Sequence, residues 1–142
     1  MNRVSLKFLS DFQNSRLAGL CVREIASDFF DDTVLSEIEL AVVEAVNNCI
    51  GHACTELYNQ QIVIDFCLND DRLLVEINDK GKSFDSDLLD HLNSDFVFDT
   101  TDFANLPEGG MGLKIIKHYM DEVTYQNVNQ INCWRLVKYL TS

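Results

Sequence analysis

Chain breakers are nearly absent: the one proline is Pro107, and neither low-complexity stretches nor internal repeats interrupt the sequence. A chain so poor in linker signals reads as one continuous domain over residues 1–142. Domains of about 100 to 150 residues bury enough surface to sustain one core, so the length agrees. Long apolar runs are missing too, and none approaches the roughly 18 residues that cross a membrane. The opening Met1 to Ser10 alternates polar and apolar residues, unlike the unbroken apolar stretch and cleavage site of a secretory signal. A soluble chain is expected. Positive charge is scarce: 11 Lys and Arg face 23 Asp and Glu, a net charge of -12. Such a surface repels phosphate backbones and disfavours nucleic acid, while a basic or polar protein partner suits it. The five cysteines are odd in number, scattered and without a C-x-x-C pair. They suggest neither a disulfide framework nor a zinc site and fit a reducing cytoplasm. His52, His91 and His118 likewise lack metal-ligand spacing.

What is present is periodic. Met1 to Ser10 reads as a strand, and Leu17, Leu20, Cys21 and Ile25 recur at helical spacing, predicting a helix from about Phe12 to Ser27. Asp31, Asp32 and Thr33 offer cap oxygens for a second helix that continues through Ile38 to about Leu57, with Gly51 as its one breaker. Ile62, Ile64 and Phe66, then Leu73, Val75 and Ile77, alternate on either side of Asn69-Asp70-Asp71, which predicts a hairpin. Lys80 to Glu108 is acidic and weakly patterned apart from a short helix at Ser86 to His91; loops this long inside a domain are usually functional. Gly109 and Gly110 open a helix to about Met120, and Val123 to Gln126 pairs with Ile131 to Tyr139 around Asn127 to Gln130. Trp134, Tyr125 and Tyr139 read as packing on these last strands. The order βααββ, loop, αββ predicts an α+β fold: a two-layer α/β sandwich with helices on one face of a mostly antiparallel sheet.

Three features carry chemistry. Glu44 is a lone carboxylate in the apolar run Leu40 to Val46, and Asn48 lies four residues on, so both share one helix face. They suit a magnesium site with Asn48 as oxygen donor and Glu44 as a base beside it; a glutamate at the rim of a buried face, hydrogen-bonded to Asn48, meets the same pattern. Asp79 and Gly81 follow the Leu73 to Ile77 strand. A carboxylate there can accept from an exocyclic amine such as that of adenine, and glycine lets backbone approach a flat ring, though an ordinary turn contains the same residues. Glu108-Gly109-Gly110-Met111-Gly112-Leu113 is a glycine cluster entering a helix, which exposes backbone N–H groups to a phosphate. It is no Walker loop, because no Gly-Lys-Ser or Gly-Lys-Thr follows.

In this order the three features look like the nucleotide-binding boxes of the GHKL ATPase superfamily, which shares the Bergerat ATP-binding fold. The chain resembles the small anti-sigma-factor serine/threonine kinases of the RsbW and SpoIIAB type. The residues that carry the resemblance are the opening strand, the Ser10-Asp11 helix start, Glu44-Ala45-Val46-Asn47-Asn48 with His52-Ala53, Asp79-x-Gly81-x-x-Phe84-Asp85, and Pro107 to Leu113. It implies ATP and Mg2+ as cofactors, Glu44 as catalytic base, Asn48 as magnesium ligand, and Asp79 as the adenine contact. It further implies that Gly81, Phe84, Gly109, Gly110, Met111, Gly112 and Leu113 line the nucleotide, with residues 85–108 as an ATP lid. Lys82 and Lys114 are the nearest basic candidates for phosphate contact. Two residues depart from the family pattern: Glu108 stands where relatives often carry a basic residue, and Ser83 replaces a frequent proline or glycine.

The implied role is a kinase of a partner-switching module, which binds a sigma factor or other regulated protein in one state and phosphorylates a STAS-domain antagonist in another. A homodimer is also implied. A second reading is a nucleotide-binding module that sequesters its partner without transferring phosphate, and the acidic Glu108 supports it. A histidine-kinase catalytic domain fits less well, since no preceding helical segment carries a phospho-accepting histidine.

Overall fold

Successive side chains of a strand point to opposite faces, so each alternating run commits one face to a core. A computed structural model of the chain describes residues 2–53, 60–81 and 110–141. Its five strands, β1 (Asn2–Leu9), β2 (Gln61–Leu68), β3 (Arg72–Asp79), β4 (Glu122–Val128) and β5 (Ile131–Tyr139), form one antiparallel sheet in the order β1-β2-β3-β5-β4. The register sets inward residues in rows: Val4 opposite Phe66, Phe66 opposite Val75, Val75 opposite Leu136, and Leu136 opposite Val123. Phe66, Val75 and Leu136 are fully buried. The outward face instead carries ion pairs, Arg3 with Asp65 at 3.2 Å and Arg135 with Glu76 at 3.8 Å. Partly solvated pairs of this kind add little stability.

Three helices among the described residues cover the inward face: α1 (Gln13–Ala26), α2 (Asp32–Asn48) and α3 (Gly110–Tyr119). α2 lies between the other two and contacts both. Ile38, Val42, Ala45, Val46 and Cys49 recur at helical spacing and are buried against the sheet. The start of α2 is set by Asp31, whose side chain accepts the Val34 N–H at 2.9 Å. Arg23 of α1 ties the pair together from the solvent side, donating to Ser36 and Glu39 at 3.0 and 3.2 Å and pairing with Asp32. The two-layer arrangement is the one the element order predicts. No helix among the described residues is long and apolar enough to cross a membrane.

Two local readings change. The second helix is not α-helical throughout: α-helical bonding ends at Asn48 and a π-helical segment, Cys49–Ala53, follows, while the rest of the stretch expected to reach Leu57 lies outside the described residues. There the Cys49 N–H is shared between the carbonyls of Ala45 and Val46, and Gly51 faces the Phe12 ring, 3.6 Å from where a Cβ would stand. The widened turn passes that ring where the chain has no side chain to bury. The last hairpin is also tighter and its first strand longer than predicted. Its turn is Asn129 and Gln130 at φ 54 and 67, the left-handed geometry that matches strand twist in a two-residue connection. The helix expected at Ser86 to His91 and the proposed lid lie outside the described residues.

Gly19 sets how closely α1 approaches α2. A Cβ there would stand 2.6 Å from Val43 Cγ2 and 3.1 Å from Glu39 Cγ, and a β-branched valine in a helix has little freedom to turn away. Gly19→Val should therefore destabilise the fold by about 1–3 kcal/mol, read as a lower urea midpoint at unchanged slope.

Candidate functional site

Glu44 and Asn48 share one face of α2, and the first turn of α3 packs on that face. Both residues are half-buried. A Cβ built on Gly112 would lie 2.9 Å from Glu44 Oε2, 3.5 Å from Asn48 Oδ1 and 3.6 Å from Asn48 Nδ2. Glycine at 112 thus lets the positive end of α3 approach a carboxylate closely. Burial pushes the Glu44 carboxyl above the usual carboxylate range. Beside it, Asn48 Nδ2 and Asn47 Oδ1 are buried without a hydrogen-bond partner among the described residues. An unmet buried amide costs about 1–3 kcal/mol, so this position favours a ligand that would satisfy it. The nitrogen and oxygen of an asparagine amide exchange by a simple flip, and the same position can present an oxygen to a hard cation. Among the described residues no cluster of three or more His, Cys, Asp or Glu could hold a metal by itself. A cation at Asn48 would draw its other ligands from water and a bound phosphate, as magnesium commonly does.

The second group lies at the end of β3. Asp79 is the last residue of that strand, on the inward side, and is 2% exposed. Its Oδ1 accepts the Gly81 N–H at 2.8 Å and an Asn132 Nδ2 hydrogen at 2.9 Å. Its Oδ2 is buried and has no partner among the described residues. One carboxylate oxygen is saturated and the other is open to a donor. Asn132 Nδ2 also donates to the Gly81 carbonyl at 3.0 Å, while Asn132 Oδ1 accepts from Tyr125 Oη and Asn127 Nδ2, both at 2.7 Å.

Glu44, Asn48 and Gly112 therefore meet at the α2–α3 seam, and Asp79 and Gly81 meet at the end of β3. Gly110 and Met111 lie in the first turn of α3, and Leu113 is buried in the core. Lys114 follows on the same helix and is half-buried. Phe84, Gly109, Lys82, Ser83 and Glu108 lie outside the described residues. Sequence reasoning missed Asn132 and took Tyr125 for packing. The signal was its parity: Trp134 and Leu136 face the core, and Asn132 is the polar residue in the same series.

The chain matches the model of the histidine kinase-like ATPase domain over residues 10–138. It is 36% identical over 128 residues to a protein of Staphylococcus epidermidis named serine-protein kinase RsbW, covering 87% of this chain and 75% of that one. A Bacillus subtilis protein of the same name is 36% identical over 106 residues, covering 75% of this chain, which spans 65% of that relative's length. Among solved structures, the RsbU and RsbW domains of a Mycobacterium tuberculosis protein superpose with a TM-score of 0.67 at 16% identity, over 100% of this chain and 33% of that one. The mycobacterial sensor histidine kinase MprB gives 0.57 at 15% identity, over 98% of each chain. These two likenesses show the fold.

The raised Glu44 carboxyl has a consequence for stability. Its folded-state value lies above its unfolded one, so the contribution of the protonated form is fully present below the unfolded value and is lost as pH rises through the folded one. Neutral Glu44→Gln escapes that loss. In thermal melts without nucleotide it should exceed the parent at neutral pH, with the gap closing towards about pH 4. A gap independent of pH would contradict the burial argument.

Proposed function

The chain belongs to the histidine kinase-like ATPase domain family, and from that premise we propose that it is an ATP-dependent serine/threonine protein kinase and anti-sigma factor. Its substrate is a STAS-domain antagonist in a partner-switching module, and its other partner is a sigma factor or comparable regulated protein. The reading is carried by the identity with the two serine-protein kinases, which spans most of this chain. On this reading the protein acts in the cytoplasm and as a homodimer, without direct contact to nucleic acid or membrane.

Each residue then has a task. Asp79 accepts the exocyclic amine of adenine on Oδ2, the buried oxygen that lacks a donor. Gly81 leaves room for the base, and the family pattern assigns Phe84 and Leu113 to the nucleotide. By the family pattern Gly109, Gly110, Met111 and Gly112 offer backbone N–H groups to the phosphates, the last three from the first turn of α3. Asn48 holds Mg2+, which supplies charge neutralisation for the transferred group when bound. Glu44 takes the proton from the partner's serine or threonine hydroxyl. As that oxygen bonds to the γ-phosphorus, the bond to the β,γ-bridging oxygen breaks, and ADP leaves. A carboxyl raised towards working pH is better matched to this transfer than an ordinary one. The new phosphate adds negative charge to the antagonist facing a chain of net charge -12, and repulsion releases it.

Incubation with Mg-ATP and the cognate STAS partner should yield phosphoserine or phosphothreonine by mass spectrometry. Glu44→Gln should lower transfer by about 10²–10⁴ while retaining nucleotide; undiminished transfer would remove Glu44 from its role. Confirmed binding with no phosphate on the partner would establish the sequestering module instead. Gly112→Ala is a separate check. Its Cβ displaces the flexible end of Glu44, so transfer should fall while the melting temperature changes little, alanine being the better helix former by about 1 kcal/mol.

A further inference from the structure

The amide of Asn132 is fully used. It has two hydrogens and two acceptor lone pairs, and the four are matched: Nδ2 to Asp79 Oδ1 and the Gly81 carbonyl, Oδ1 from Tyr125 Oη and Asn127 Nδ2. That pattern fixes which way the amide points. Turned over, its oxygen would face the Asp79 carboxylate and the Gly81 carbonyl, and its hydrogens would face the Asn127 amide hydrogens. Tyr125 holds its hydroxyl in place through its ring, which lies against Trp134 with centroids 4.9 Å apart. Asn132 itself is 1% exposed, so water offers little substitute for these partners.

The consequence falls on Asp79. Were Oδ1 open, the carboxylate could rotate and offer either oxygen to a ligand. With Oδ1 engaged by two donors, the carboxylate is held in one orientation, and Oδ2 is its oxygen without a partner among the described residues. We propose that Asn132, oriented by Tyr125 and Asn127, is a positioning residue that makes Asp79 selective for a purine bearing an amine at position six over one bearing a keto oxygen. This rests on the nucleotide reading above. A keto oxygen set against Oδ2 would leave two buried acceptors facing each other. A site built to hydrogen-bond one group discriminates strongly against an analogue that cannot complete the bond.

The test compares ATP with inosine triphosphate, which replaces that amine by a keto oxygen, by calorimetric titration of the full chain with Mg2+ present. The parent should prefer ATP by about tenfold or more, and Asn132→Ala should narrow the ratio to within about threefold. Tyr125→Phe, which keeps the ring against Trp134 and removes one donor, should narrow it part of the way, and Asn132→Ser, which restores one donor, should recover part of the loss. An unchanged ratio in Asn132→Ala with ATP still bound overturns the proposal. Equal weakening of both nucleotides overturns it too, because that marks a structural role. If Asn132→Ala does not fold, the ratio in Tyr125→Phe decides in the same way. A parent that binds neither nucleotide overturns the ATP reading itself, and that result needs no variant.

Discussion

A sheet with one dry face has a parity that every strand must respect, since a one-residue slip would carry its apolar set into water. Here that parity is carried across all five strands, from Val4 through Phe66, Val75 and Leu136 to Val123. The remaining architecture depends on it: the helices have one surface to cover, and α2 takes the middle of it. The polar site depends on it as well. Asp79 and Asn132 stand opposite each other in the register and continue the inward series of Ile77 and Trp134. Their polarity at the dry face is therefore a property of the sheet's edge of burial, and each must be met by a hydrogen bond or a ligand.

The α2–α3 seam places a conflict of the opposite kind. A helix otherwise made for a core holds Glu44 and Asn48 where burial opposes the charge of one and leaves an amide nitrogen of the other unmet. Local rules would remove both residues. Proteins retain such violations where function needs them, and the absence of a side chain at Gly112 shows how closely the neighbouring helix is fitted to them.

Much of this was legible before any coordinates. Strand and helix periods located every strand and α-helix among the described residues, because Ile62 to Phe66 and Leu73 to Ile77 alternate without ambiguity and Asp31 is a strong cap. Glu44 stood out because charge in an apolar helix is rare, and Asp79, Gly81 and the glycine cluster stood out by composition. What escaped was long-range. The π-helical segment after α2 brings Gly51 against the Phe12 ring, and the last hairpin closes through two left-handed residues, neither of which follows from the local pattern. Asn132 escaped because a lone asparagine in a strand acquires meaning when its partner, 53 positions earlier, is known.

That separation also bears on the order in which the molecule is completed. Contacts between distant parts of a chain form late, after the entropy of closing the intervening loop has been overcome. β3 can pair with β2 through a short hairpin, but until β5 pairs with β3 the Asp79 carboxylate has the Gly81 N–H and lacks the Asn132 amide. A chain lacking β5 would hold most of the candidate glycines and carboxylates, yet its Asp79 would keep one of the two donors that fix Oδ1. The second bond to Asp79 Oδ1 is thus tied to the pairing of β5 with β3.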